Sequence, residues 1–526
     1  MSSVLCAKCG YTATANDIKL PISPVPDLLR GNCVAPSSEA QVIHDTISTT
    51  RVHIAQLVGE MTRLQGILDE LARKRDALES YTDMHLSLVA PVRSLPAEIL
   101  SEIFIRLKDA TTLSDAIKWS IGSPRLNKTP LLLGNVCSRW RTVVLSTPSL
   151  WASFALTIAS DRLERSTALA EMWLARAGVC PLSISLGAAS NYNSSMRPFM
   201  QAFLPYCERW YEVRLDLPTA FIDNWYPAKN RLLSLHKLFI GTRCGPNNIF
   251  ALVPQLRHLY LASLSYPPSD FQLPWSQLQF CEMGIKRRHD SCLELLRLTP
   301  NLEECVIWPY NSGEVSHTPA QLSRVHRMQI YQNPIRFLNR LLLPELRELF
   351  LDGDDSFPWI ATPQLPPLLA KYPLELLSFK GCHIDDIEMI QILRSCSSLV
   401  QLELRGCSAR VIMTNAFLPQ FTYRRSSAFS KMPLLAPRLR TIKVDYDPQE
   451  FDMLAFADAI QSRVTLDGIV LDSENTSVTK LETVEIRVLH VSSLDSVIQL
   501  RLCQLRDIGL KISLLDMDLN RSIGSI

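Results

Sequence analysis

The pattern that most restricts how this chain can fold is a short apolar skeleton repeated along its C-terminal two thirds. One large apolar residue is followed by a second three positions later and a third two beyond that. It reads Leu235, Leu238, Ile240, then Leu256, Leu259, Leu261, then Leu302, Cys305, Ile307 and Val325, Met328, Ile330. It continues as Leu346, Leu349, Leu351, then Leu374, Leu377, Phe379, then Leu399, Leu402, Leu404. Leu439, Ile442, Val444, then Leu481, Val484, Ile486 and finally Leu505, Ile508, Leu510 carry it onward. Trp210, Val213, Leu215 and Leu278, Cys281, Met283 also fit. In each unit the last two anchors flank a single residue, so they face one side of a short strand while the residue between faces the other. Stacked in parallel, such strands bury one face of a sheet.

Most anchors recur at roughly 21 to 28 residues, the period of a leucine-rich repeat. Cys382 and Cys407 stand three residues after Phe379 and Leu404, where that repeat takes asparagine or cysteine. Residues 180–526 thus resemble an irregular leucine-rich-repeat solenoid, and cysteine at that position resembles the variant often joined to F-boxes. Pro254, Pro300, Pro344 and Pro437 each precede an anchor by two residues. Helical spacing over Ile384–Leu393 predicts a helix on the convex side. Scattered strands of a mixed domain remain the rival reading. The regular spacing breaks between Leu399 and Leu439 and between Leu439 and Leu481. The first interval holds Phe421-Thr422-Tyr423-Arg424-Arg425; the second predicts a helix over Phe451–Ile460. Trp308-Pro309-Tyr310 and Trp359 could present aromatics at the rim or pack under their own loops. Lys286-Arg287-Arg288-His289 reads as a charged loop, and Asp352-Gly353-Asp354-Asp355 as a turn lacking later calcium ligands. The positions between anchors read as mixed, with no continuous acidic, basic or aromatic stripe, so no ligand follows from them.

Upstream, Ser94 can cap, Pro96 suits a first helical turn, and Glu98 sits near the positive end of the helix dipole. Ile99, Leu100, Ile103, Phe104 and Leu107 then form an apolar stripe at helical spacing. A second helix is announced by Thr129-Pro130, with the stripe Leu133, Val136, Cys137, Trp140 and Val144. Thr147-Pro148 opens a short third helix through Leu150 and Trp151. Three short helices cannot bury so much apolar surface among themselves, so part of it is expected to face a partner. The ordered set resembles an F-box. The resemblance implies docking to a Skp-type adaptor of a cullin-based ubiquitin ligase through Leu95, Pro96, Ile99, Leu100, Ile103, Phe104, Val136, Trp140 and Trp151, with the repeats holding an unidentified protein target. Residues 108–129 lengthen the first connection beyond the family pattern and carry loop signals such as Ser123-Pro124.

The expected organisation is therefore α/β: an arm at 1–36, a long helix at 37–82, an F-box-like module at 91–155 and a solenoid of parallel strands at 180–526. The long helix rests on a heptad seam: Ile43, Ile47, Thr50, Ile54, Leu57, Met61, Leu64, Leu68, Leu71, Arg75 and Leu78. Ser38 with Gln41 suggests a capping box, and Glu70 with Lys74 an intrahelical ion pair. The seam can fold back on the chain or serve self-association.

Composition narrows the function classes. The 526 residues are 47% apolar, with a mean hydropathy of +0.07, enough for large cores. A net charge of +2 supplies no field favouring nucleic acid or anionic membrane. The sequence offers no membrane-length apolar run and no secretory leader, so an intracellular setting, cytoplasmic or nuclear, is expected. Fourteen scattered cysteines are too dilute for a disulfide framework. Cys6 and Cys9 give half of a zinc-knuckle spacing without a second close pair, so no metal is expected. There is no phosphate-cradling glycine loop, no His-Glu-x-x-His and no Gly-x-Ser-x-Gly. The sequence thus predicts a binding protein without catalysis or cofactor. A scaffold that never enters a ligase is the alternative to the recruiting subunit.

Overall fold

The computed structural model describes residues 4–6, 11–12, 18–30, 34–118, 128–158, 163–188, 196–262, 266–285, 289–309, 319–331, 335–353, 359–360, 363–406, 416–423, 434–446, 452–465, 470–471, 477–488 and 496–516. They divide into two compact units, Met1–Ile99 and Leu100–Ile526. No helix among the described residues is long and apolar enough to cross a membrane.

The N-terminal unit is dominated by α1, Ser37–Leu88, 52 residues long. No proline interrupts it. Its surface carries helical-spacing partners: Lys74 on Glu70 at 2.5 Å, Arg63 on Glu60 at 2.6 Å, and Gln65 on Asp69 at 3.0 Å. The expected capping box is absent; Pro36 occupies the N-cap and no side chain caps the first turn. The helix stops at Val89, just before a short 3₁₀ turn at Pro91–Arg93. Ser94 does not cap the next helix either: that helix begins three residues on at Ala97, and the Ser94 hydroxyl donates back to the Pro91 carbonyl at 2.8 Å. No residue of α1 is buried.

Helix α2 spans Ala97–Lys118, running well into the segment expected to loop out. Beyond it, the stripe expected on one second helix is divided between α3, Thr129–Gly134, and α4, Ser138–Leu145. The break has a local cause. Cys137 is extended and its sulfur accepts the Trp140 amide, acting as the N-cap of α4. Arg141 then donates to the Gly134 carbonyl at 2.9 Å, tying the two helices across the gap. Pro148–Trp151 forms a single 3₁₀ turn.

The rest of the larger unit is a leucine-rich-repeat-like solenoid built on one sheet of fourteen parallel strands in chain order. They are β1 Ser153–Ile158, β2 Leu182–Ala188, β3 Trp210–Asp216, β4 Lys237–Ile240, β5 His258–Leu261, β6 Phe280–Ile285 and β7 Glu304–Pro309. The second half comprises β8 Arg327–Tyr331, β9 Glu348–Asp352, β10 Leu376–Lys380, β11 Gln401–Arg405, β12 Thr441–Tyr446, β13 Thr483–Val488 and β14 Lys511–Asp516. Register follows the skeleton: Leu238 pairs with Leu259, Leu259 with Cys281, Cys281 with Cys305 and Cys305 with Met328. The leading anchors Leu235, Leu256, Leu278, Leu302, Val325, Leu346, Leu374, Leu399 and Leu439 are all fully buried beneath the sheet.

The sheet extends past the skeleton at one end and departs from it at the other. Trp151, Phe154 and Leu156 repeat the same three-then-two spacing and form the first unit, so Trp151 is at once the end of the helical module and the first anchor of the sheet. Its ring packs edge-on against Trp173 at 4.7 Å and its indole N–H donates to the Val144 carbonyl. At the other end the unit Leu505, Ile508, Leu510 is not the strand. Leu505 belongs to the helix Ser496–Asp507, and Gly509 at φ 96° turns the chain out of it. Ile512 and Leu514 then pair with Val484 and Ile486.

The helical segment expected after Phe379 is present as Asp386–Ser395, started by a capping box between Asp385 and Glu388. The helix expected near residue 451 is Met453–Val464, capped by Asp452. In that helix Arg463 is 2% exposed and donates to the carbonyls of Phe421, Leu435 and Ala436. It thereby clasps both long intervals with one buried guanidinium stacked 3.9 Å over Phe421.

Candidate functional site

Two surfaces of the larger unit leave chemistry exposed. The first is the helical module. Leu100, Phe104 and Trp151 are core residues, at 1%, 1% and 2% exposure, and Trp140 is half-buried with its ring 4.9 Å from Phe104. These four build the module. Ile103 and Leu107, one turn apart on α2, are 46% and 47% exposed, and Leu131, Leu132 and Val136 in and after α3 are 37%, 66% and 59% exposed. Within the N-terminal unit, Leu95 is half-buried and Pro96 and Ile99 are exposed. Val136 lies in the break between α3 and α4, not on a helix. Leu131 and Leu132 carry apolar surface that the helical stripe pattern passed over.

The second surface is the face of the sheet formed by the residues between anchors. Strand pairing aligns its central row as Ala155, Ser185, Arg214, Phe239, Tyr260, Glu282, Val306, Gln329, Phe350, Ser378, Glu403, Lys443, Glu485 and Ser513. The row is sorted only in part: Ala155 and Ser185 open it, Phe239, Tyr260 and Phe350 are its aromatics with Glu282, Val306 and Gln329 between them, and Glu403, Lys443 and Glu485 are charged.

In the middle, Phe239 and Tyr260 stack at 3.8 Å with planes 6° apart, and Arg214 lies 3.9 Å over Phe239. Phe280 continues the series 5.0 Å from Tyr260, with His258 beside it. Trp308 stacks on Tyr331 at 3.5 Å; its Cα partner on β6 is Gly284, which leaves room for the indole. Trp308 therefore belongs to the sheet face and not to a rim loop, whereas Tyr310 and the side chain of Trp359 lie outside the described residues. Two carboxylates sit among the rings. Burial raises the pKa of Glu282 against the opposing pull of a hydrogen bond from Trp308 and the charge of Arg214. Burial likewise raises Asp352, which accepts from Gln329 at 2.8 Å. Tyr260 is pushed up to about 12, chiefly by burial and then by Glu282.

Toward the end of the row the charges pair. Glu403 takes Lys443 at 2.6 Å and Gln401 at 2.6 Å. Burial, the largest single influence, would raise it, but Lys443, Gln401 and Arg405 together outweigh burial and leave its pKa lowered. Asp445 receives both nitrogens of a bidentate Arg487 at 2.7 Å and a third bond from Arg405 at 3.1 Å, and Arg405 also reaches Glu485. The row carries no continuous acidic, basic or aromatic stripe, as the sequence reading expected, and what the register adds is the clustering of aromatics across neighbouring columns. Aligning the residue between the last two anchors of successive units would have found the aromatic zone at Phe239, Tyr260 and Phe350. Trp308, Tyr331 and Phe280 fall one column to either side and needed the register.

Other sequence features contribute less. Cys382 is buried, and its thiol donates to the carbonyls of Leu351 and Lys380, which closes the turn after β10. Cys407, Arg424, Arg425, residues 286–288, Asp354, Asp355 and Cys9 lie outside the described residues. Among the described residues no group of three or more His, Cys, Asp or Glu side chains is placed to hold a metal ion.

No protein-family model matches this chain, and no curated protein matches it in sequence. Among solved structures, it is similar to the leucine-rich repeat-containing protein LegL7 from Legionella pneumophila, with 14% identity and a TM-score of 0.31 over 63% of this chain and 91% of that one. It is also similar to TLR13 in a complex with ssRNA13, with 15% identity and a TM-score of 0.27 over 56% of this chain and 55% of that one.

Proposed function

We propose that this chain is a non-catalytic recruiting subunit of the F-box kind, which docks a Skp-type adaptor of a cullin-based ligase through its helical module and holds a protein target on the open face of its sheet. One observation carries the docking half. Ile103, Leu107, Leu131, Leu132 and Val136 keep large apolar side chains at the surface, while Leu100, Phe104 and Leu133 fill the core beneath. Such a division suits a module that is stable alone and gains burial only against a partner. For the target half, stacked aromatics with Arg214 laid over Phe239 are the side-chain types enriched where proteins bind one another. The role is one of proximity: the target is held near a ligase that performs the chemistry.

A second reading, an interaction protein that assembles with no ligase, draws on the extension of α2 to Lys118, which departs from the compact F-box pattern. Co-purification separates the two. The recruiting reading expects a Skp-type adaptor and a cullin with the wild-type chain. It expects at least tenfold less adaptor with Leu95→Ala/Pro96→Ala or Ile103→Asp/Leu132→Asp, at unchanged thermal midpoint of the solenoid. Adaptor recovery indifferent to both double variants would refute docking through this surface. Loss of a co-purifying protein on Phe239→Ala/Trp308→Ala, with adaptor retained, is the expected signature of the target face.

A further inference from the structure

Helix α1 leaves an apolar face uncovered by the described residues of its own unit. It is 52 residues long and has no buried residue, yet its heptad seam exposes Ile54 at 55%, Met61 at 69%, Leu68 at 59%, Leu71 at 57% and Leu78 at 67%. A helix draws most of its stability in water from packing an apolar face, and none of the described residues of its unit packs on this one. We propose that the occupant is a second copy of the same helix, paired antiparallel along its full length.

The orientation follows from the two polar residues in the seam. Heptad phase places Ile47, Ile54, Met61, Leu68 and Arg75 at one seam position and Ile43, Thr50, Leu57, Leu64, Leu71 and Leu78 at the other. In a parallel pair each layer joins a residue to its own copy, so Arg75 meets Arg75 with Lys74 alongside, and Thr50 meets Thr50. Now lay Ser37 of one copy against Leu88 of the other, so that the two helices overlap end to end. Every seam layer falls into phase in this arrangement. Ile47 meets Leu78, Ile54 meets Leu71, Leu57 meets Leu68 and Met61 meets Leu64. Thr50 meets Arg75, so the polar residues share a layer and the two guanidinium groups lie far apart.

One preference points the other way. Isoleucine at the first position with leucine at the second is the pattern of two-stranded parallel coiled coils. Only Ile47 and Ile54 obey it, while Met61, Leu68 and Arg75 fill the remaining sites. Arg75 keeps its ion pairs with Asp76 and Glu79 in either arrangement, but only a parallel pair sets two guanidinium groups in one layer, so the antiparallel pair prevails.

This inference stands apart from adaptor docking and is tested on the full chain by sedimentation velocity from about 1 to 100 μM. The expected species has twice the 59.4 kDa chain mass, and Leu57→Asp/Leu64→Asp converts it to monomer. Thr50→Glu decides orientation. In the antiparallel pair it creates two Glu–Arg layers and lowers the dissociation constant about tenfold; in a parallel pair it stacks Glu on Glu and weakens the dimer. A wild-type chain monomeric over the whole range overturns the proposal, as does a Thr50→Glu dimer no tighter than wild type. Circular dichroism at the same concentrations verifies that each variant keeps its helix.

Discussion

At the scale of single residues, two glutamates on one sheet face respond to their surroundings in opposite directions. Glu282 is held among aromatic rings and its pKa is raised by burial. The folded state therefore holds its proton more tightly than the unfolded chain does, and ionisation destabilises the fold as pH rises above the ordinary value of 4.5. Glu403 is half-buried and burial pushes it up, but Lys443, Gln401 and Arg405 together lower its pKa. Its contribution is present above 4.5 and is lost as pH falls through the folded value. Glu282→Gln should raise the thermal midpoint at pH 7 and Glu403→Gln should lower it. Melts at pH 7 and pH 4 provide the check: both differences shrink on acidification, and equal signs at pH 7 would contradict the assignment. No motif announces either behaviour, because it depends on which residue the neighbouring strand sets alongside.

Among elements, the strands were the most legible part of the sequence and the turns the least. A three-then-two skeleton states both the face and the register of a strand, which is why Leu238 to Ile486 could be read without coordinates. It failed where an anchor slot held an unexpected residue. Pro181 leads the unit of Ile184 and Leu186, and Gly509 leads that of Ile512 and Leu514, so β2 went unmarked and β14 was displaced by four residues. The single second helix of the module failed for another reason: cysteine is a poor advertisement for an N-cap, yet Cys137 serves as one. Docking and core residues were named together, and only burial separates Leu100, Phe104 and Trp151 from Pro96, Ile99, Ile103 and Val136. Close approach between turns was also unreadable. A Cβ added at Gly353 would lie 1.9 Å from the Gly381 carbonyl oxygen, across the gap between β9 and β10. Gly353→Ala is expected to cost about 1–3 kcal/mol in chemical denaturation; a neutral result would mean that the turn has room to shift.

For the molecule as a whole, the defining property of the solenoid is that each strand pairs only with its neighbours in sequence. Stability in such an array is close to a sum of unit terms and nearest-neighbour terms, so interior units are protected from both sides and terminal ones from one. Native-state hydrogen exchange should therefore grade from rapid in β14 to slow in β6 through β10. Uniform protection across all strands would show a cooperativity that nearest-neighbour stacking does not supply. At the other end β1 does not behave as a free end, because Trp151 joins it to the helical module.

The sorting of the sheet face also gives the protein an optical property. Trp151, Trp173, Trp210 and Trp225 are sealed in the core near the start of the solenoid, all at 2% exposure or less. Trp308 stands half-covered in the aromatic zone, in van der Waals contact with Tyr331 and bonded to Glu282. A molecule settling on that zone perturbs the emission of Trp308 and leaves the four sealed indoles unchanged. The chain thus contains an internal reference in the sealed indoles and a reporter in Trp308, whose share of the emission from nine tryptophans is isolated by subtracting that of Trp308→Phe.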